Sequence, residues 1–263
     1  MGTRETAVAG LFYPLDPQAL RTQVQTLLAE VEPDHLPIDG PIKALIAPHA
    51  GYLYSGATAA CAYALVKERN DIEHVVLLGP SHRVAFRGLA LSSATSFATP
   101  LGDVPVPRAL ATAAASLAPV TVFDAAHTAE HSLEVHLPFL QIALPGVPVL
   151  PLVTGDTTPE EVESTLAALT NDDARSLVIV STDLSHFLDY ASACTVDRRT
   201  TRAIEALETT VTPEQACGCR ALNGLLRFAG SNALSVNTLD VRNSGDTAGA
   251  KDRVVGYGSY AVH

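Results

Sequence analysis

Positive charge is scarce in this sequence. Lys and Arg total 17 against 28 Asp and Glu, a net charge of −11. A nucleic-acid partner needs a basic surface, so this balance argues against one and favours a cation or a small neutral substrate. Cysteine is scarce too. Cys61, Cys194, Cys217 and Cys219 are too few and too irregularly spaced for a disulfide framework in 263 residues, and a reducing cytoplasm is expected. No apolar run approaches transmembrane length, and the N-terminus lacks a basic-then-apolar secretory pattern, so no membrane association is expected. Residues 1–6 match the short acylation pattern, but so brief a match carries little information, and a plain soluble start is the simpler reading.

Several catalytic signatures are missing as well. Neither a GxxxxGK[ST] loop nor a GxGxxG turn is present, which leaves a nucleotide reading weak. No Gly-x-Ser-x-Gly elbow supports a Ser-His-Asp hydrolase. In the dense cluster Glu130-His-Ser-Leu-Glu-Val-His136 the histidines are five apart and Ser132 follows His131, whereas a zincin helix needs them four apart with Glu directly after the first. Cys217-Gly-Cys219 lacks the second pair that a zinc site of that type requires. No repeat array or linker divides the chain.

What is present is a well-patterned apolar chain, 47% hydrophobic with a mean hydropathy of +0.20. Short apolar runs alternate with helical stretches, which predicts one α/β domain over residues 1–263 with a mostly parallel central sheet flanked by helices. Asp16 followed by Pro17 marks a helix over 17–30. Strands are predicted at 43–47, up to 79, at 89–93, 120–124, 148–153, 177–180, 235–241 and 254–262. Helices are predicted at 55–69, 107–117, 158–169, 191–208 and 217–228, with another running from the 130–136 cluster to about residue 144. The 191–208 helix carries arginines that look solvent-facing.

Three of the strands end alike. Lys43-Ala-Leu-Ile-Ala-Pro-His49, Val75-Val-Leu-Leu-Gly-Pro-Ser-His82 and Leu177-Val-Ile-Val-Ser-Thr-Asp-Leu-Ser-His186 each deliver a histidine just past a buried strand. Ligands in open parallel sheets bind beyond the carboxyl ends of strands, so these side chains are expected to converge. His49 and His82 are about one βαβ unit apart, the spacing that brings two neighbouring parallel strand ends together. Asp183 and His186 would share one face if the segment turns helically. The plainer alternatives are a turn histidine bonded to its own loop for His49 and an N-cap role for Asp183. His35, His74, His127 and His263 read as exposed or core residues.

Taken in order, Ala9-Gly-Leu-Phe-Tyr-Pro14, Pro48-His-Ala-Gly-Tyr52, Leu78-Gly-Pro-Ser-His82, Glu130-His-Ser-Leu-Glu-Val-His-Leu-Pro138, Ser181-Thr-Asp-Leu-Ser-His186 and Asn243-Ser-Gly-Asp246 resemble the MEMO family, also labelled AmmeMemoRadiSam system protein B. That family is similar to the catalytic subunit of class III extradiol dioxygenases. The resemblance implies an α/β fold holding a non-haem Fe(II), with zinc or copper as alternatives. His49 and His82 would be the imidazole ligands, His186 the acid/base histidine with Asp183 beside it, and His136 would face the same pocket. Animal relatives carry a cysteine in the late loop, where Gly245 stands here. Asp246 would then replace it and complete a two-histidine, one-carboxylate set, with Asp183 as competitor. The substrate would be a small, diol-like molecule, and AMMECR-type and radical-SAM proteins would be partners. A zinc-type hydrolase and a non-enzymatic peptide-binding module are the alternative functions.

Overall fold

The computed structural model describes residues 2–32, 38, 40–170 and 175–263. His35 lies outside the described residues. In chain order the elements are β1 (Thr3–Arg4), α1 (Pro17–Ala29), β2 (Ala44–Ala47), α2 (Tyr52–Ala64), β3 (His74–Pro80) and β4 (Leu89–Leu91). The hairpin of β5 (Ser96–Thr99) and β6 (Gly102–Pro105) precedes α3 (Arg108–Ala115), β7 (Val120–Val122), α4 (Ala125–Thr128) and α5 (Leu137–Ala143). The second half holds β8 (Val149–Thr154), α6 (Pro159–Thr170), β9 (Ser176–Ser181), β10 (His186–Leu188), α7 (Tyr190–Glu205), α8 (Cys219–Ser231), β11 (Val236–Asn243) and β12 (Val254–Val262).

The main sheet runs β10-β12-β2-β9-β3-β8-β4-β7, with β11 on the other flank of β12. Its centre, β2-β9-β3-β8, is all parallel, and both flanks turn antiparallel through β12 and β4. These central strands read as continuous apolar runs because helices cover both faces. Alternate residues divide between two cores. Leu45, Val75, Leu77 and Ile179 pack with Leu20, Tyr63 and Phe139 on the side of α1, α2 and α5. Ile46, Val76, Leu78 and Val180 pack with Leu166, Leu222 and Leu225 on the side of α6 and α8. A smaller sheet, β1-β5-β6, lies apart from the main one.

Several sequence expectations change here. β2 and β3 are not neighbours, because β9 inserts between them and pairs with both. The third motif therefore ends between the first two, at the order reversal where ligand sites form. The segment after β9 does not turn helically either. His186 begins β10, a short strand paired with the start of β12, so Asp183 and His186 do not share a helix face. The helix expected from the 130–136 cluster is a 3-10 turn over Glu134–His136 followed by α5. The 99–107 stretch contains β6 and the end of β5, and Gly102, at a positive φ of 114°, closes a tight hairpin.

Candidate metal centre

The tips of β2, β9 and β3 bring the three strand-end motifs together. Adjacent strands lie about 4.8 Å apart, so β2 and β3 are roughly 10 Å apart across β9, a gap two imidazoles can span by leaning inward. The rings of His49 and His82 meet edge-on with centroids 5.1 Å apart. Cys217 completes the cluster. Its Sγ lies 3.3 Å from His49 Nε2, and one donor atom from each of His49, His82 and Cys217 falls within 4.8 Å of the others.

Cys217 reaches this place through close lacing of two loops. Its backbone N–H donates to the Asp183 carbonyl, the Asp183 N–H donates back to Cys217 Sγ at 3.3 Å, and the Gly218 N–H donates to Thr182 Oγ1 at 2.9 Å. A Cβ on Gly218 would sit 2.5 Å from the Ser181 carbonyl oxygen, so only glycine lets this loop press against the end of β9. Gly79 serves the same end at β3, where a Cβ would meet Leu133 at 2.8 Å.

A chain of neutral hydrogen bonds orients His49. The Ser181 hydroxyl donates to the Ser132 carbonyl at 2.6 Å, which leaves its oxygen to accept from both neighbouring imidazoles. His49 Nδ1 donates to it at 2.6 Å and His136 Nε2 at 2.8 Å, while the Tyr63 hydroxyl donates to His136 Nδ1 at 2.7 Å. This network assigns His49 the tautomer whose Nε2 lone pair faces Cys217 and His82. It also keeps His136 neutral. Burial lowers the His136 pKa to about 3, and burial first, then neighbouring histidines, hold His49 well below its ordinary value.

His82 is held by a carboxylate instead. Glu130 accepts from His82 Nδ1 at 2.8 Å and from its backbone N–H at 2.6 Å, leaving Nε2 available. Burial works against the Glu130 charge, but the bonds from His82 and Ser132 overcome it and bring the carboxyl to about 2. His131 stacks on His82 with centroids 4.5 Å apart, and burial together with His82 lowers it to about 4.

Two clefts lead to the centre. One, of about 440 Å³, is lined by Phe12, Tyr54, Tyr257, His131, Asp183 and His186. The other, of about 740 Å³, is lined by His82, His186, Phe187, Arg199, Gln215 and Cys217. His186 stands at both. Its Nδ1 donates to the Leu184 carbonyl at 2.8 Å, which leaves Nε2 to face a ligand. Asp183 accepts the His49 backbone N–H at 2.8 Å, and burial lifts its carboxyl to about 6 against those bonds and the nearby His186 and His82.

Not every expected residue gathers there. Asp246 caps the 3-10 turn over Ser244–Asp246, accepting the Asn243 N–H at 2.9 Å and the Tyr190 hydroxyl at 2.6 Å, so both of its oxygens are engaged in holding that turn. The structure does not bring it to His49 and His82. His136 lies behind His49, 1% exposed and bonded at both nitrogens, and so does not face the cleft. Asp183 is no N-cap, and its Oδ2 lies 4.0 Å from His49 Nε2. Sequence reasoning discounted Cys217 because it lacked a second cysteine pair. Its signal was weak, one cysteine of a Cys-Gly-Cys triplet just ahead of a helix, and its partners were histidines from distant strands. Glu130 and Ser181 stood inside quoted motifs, but nothing in their spacing gave them roles.

A sequence profile for Memo-like proteins matches residues 4–261. A MEMO1 family protein of Methanopyrus kandleri is 34% identical, covering 97% of this chain and 96% of its own length. Another, from Methanothermobacter thermautotrophicus, is 34% identical over 97% of this chain and 98% of its own. One from Thermotoga maritima is 32% identical, covering 97% of each. The fold resembles the crystal structure of an uncharacterized protein from Escherichia coli K12, with a TM-score of 0.53 and 17% identity over 82% of this chain and 99% of that one. At that identity the likeness concerns fold alone. The full-length profile match and these relatives together place the chain in the Memo-like protein family.

Proposed function

We propose that this protein binds a redox-active transition metal, Fe(II) in the first instance, and acts on a small molecule in the manner of class III extradiol dioxygenases. One observation carries the reading: His49, His82 and Cys217 Sγ converge on one point while each imidazole has its Nδ1 held by a hydrogen bond. Metal-ligating histidines have this arrangement, since the second bond fixes tautomer and ring direction. Two imidazoles and a thiolate suit iron, copper or zinc, with the Asp183 carboxylate near enough to add an oxygen donor. Bound iron would supply one-electron and oxygen chemistry. The protein's own residues would manage protons and position. His186, with Nδ1 tied to the Leu184 carbonyl and its ring at both clefts, would take or return a substrate proton. Phe12, Tyr54 and Tyr257 would hold a flat apolar substrate beside them.

The sulfur donor favours a second reading. Three protein ligands of the His-His-Cys kind with a position left open also suit catalytic zinc and hydrolysis. The deciding experiment is metal analysis of protein purified without added ions, followed by anaerobic Fe(II) titration of the wild type, His49→Ala and Cys217→Ser. Stoichiometric iron with a spectrum lost in both variants supports the dioxygenase-like reading. Zinc with no response to oxygen supports hydrolysis, and indistinguishable titrations of all three proteins would remove the proposed centre. AMMECR-type and radical-SAM partners belong to the same proposal, and a pull-down with purified candidates tests them. Among the described residues, no helix is long and apolar enough to cross a membrane.

A further inference from the structure

Acidic residues exceed basic ones by 11, and several arginines on this surface sit against a carboxylate. Arg87 pairs with Glu161, Arg220 with Asp156, Arg227 with Glu160 and Glu163, and Arg242 with Asp240. The arginines of α7 do not follow suit. Arg198, Arg199 and Arg202 are exposed, and among the described residues none forms an ion pair; the single bond of the group is a long one from Arg198 to Thr195 at 3.5 Å. Arg198 and Arg202 are four apart on a helix, where like charges oppose each other. Only Arg202 lies in the last turn, where the helix dipole would favour a cation, so the dipole does not account for the other two.

All three line one cleft of about 630 Å³, with Thr195 and Thr212 hydroxyls beside them and Glu208 as its one acidic residue. Arg199, Thr212 and Gln215 also line the cleft that reaches His82, His186 and Cys217. The guanidinium-lined groove and the cleft at the candidate metal centre therefore share a wall. Planar guanidinium groups donate paired N–H bonds that match phosphate and carboxylate oxygens. We propose that the Arg198–Arg199–Arg202 face of α7 binds a multiply charged oxyanion, the charged end of the small molecule whose other end reaches His82 and Cys217. The link to the centre rests on the function proposed above, while the oxyanion site stands on α7 alone.

The test is calorimetric titration of the metal-free and the metal-loaded protein with inorganic phosphate, pyrophosphate and succinate at low salt, repeated on Arg199→Gln/Arg202→Gln and on Arg87→Gln. The expected result is saturable binding of at least one anion to the metal-free wild type, weakened about tenfold or more in the double arginine variant. Affinity should fall as salt rises and stay unchanged in Arg87→Gln, an arginine outside the groove. A preference for phosphate or pyrophosphate would identify a phosphorylated ligand, and a preference for succinate a polycarboxylate. No saturable binding, or binding the arginine variant leaves unaltered, overturns the proposal. Arginine-dependent anion binding by a protein that takes up no metal would leave the oxyanion site standing and remove only the metal reading.

Discussion

His49 and His82 approach one point from opposite sides of β9, and they are held by opposite kinds of partner. Behind His49 stands a neutral chain, Ser181, His136 and Tyr63, in which every hydrogen-bonding group in the path is used. Behind His82 stands the Glu130 carboxylate, which also accepts backbone N–H groups of residues 82, 131 and 132. His49 is 2% exposed at its side chain and His82 28%. A buried imidazole cannot afford an unsatisfied partner, so the His49 side tolerates only a closed neutral network. A half-exposed one can be backed by an anion, which makes its ring a stronger donor to a cation. One side of the centre is thus built for fixed geometry and the other for charge.

The largest effect is expected where neither side dominates, at the shared sulfur. Cys217→Ser should lower metal affinity by more than about a hundredfold, beyond the range typical of an outer hydrogen-bond partner. Substitution with Co(II) reads it directly, since the thiolate-to-cobalt absorption should vanish. Glu130→Gln and Ser181→Ala then separate the two sides. Glu130→Gln should cost about 10–100-fold in metal affinity, because it removes the charge behind His82. Ser181→Ala should act mainly on stability, about 1–3 kcal/mol for each buried group left unpaired. Denaturant unfolding and competitive metal titration on both variants check this, and equal effects on both readouts would erase the distinction drawn above.

Acid should also act through the His49 side. His136 titrates at about 3 in the folded protein, below its ordinary 6.5. A depressed folded-state pKa means that the stabilising contribution is present above 6.5 and is lost as pH falls toward 3. By pH 5 the loss from this residue alone should be about 2 kcal/mol. Unfolding of metal-free protein between pH 7 and 5 measures it, and His136→Gln should flatten the profile. The smallest effect concerns Asp246. Asp246→Asn should cost about 1 kcal/mol by weakening its cap, and leave metal affinity unchanged. A loss of metal on that substitution would return Asp246 to the ligand set.

The residues that proved legible were those whose placement is local. Pro48 and Pro80 close apolar runs that can only be buried strands, so His49 and His82 were readable as strand-end residues from composition and period alone. Asp16 and Pro17 announced α1, whose cap bond to the Ala19 N–H forms as expected. Asp246 misled because its neighbourhood in the chain resembled a ligand loop, while its oxygens were needed at the 3-10 turn it caps.

The sequence by itself determined the alternation of buried strands and helices, the two-sided sheet, and the delivery of His49, His82 and Asp183 to strand tips, because each follows from hydrophobic period and local backbone chemistry. Only the tertiary structure decided that β9 lies between β2 and β3, that Cys217 rather than Asp246 joins the imidazoles, and that Ser181 and Glu130 back them. Strand order and loop-to-loop contact bring Cys217 to His49 across 168 positions in the chain, and no local pattern encodes which distant partner will satisfy a buried polar atom.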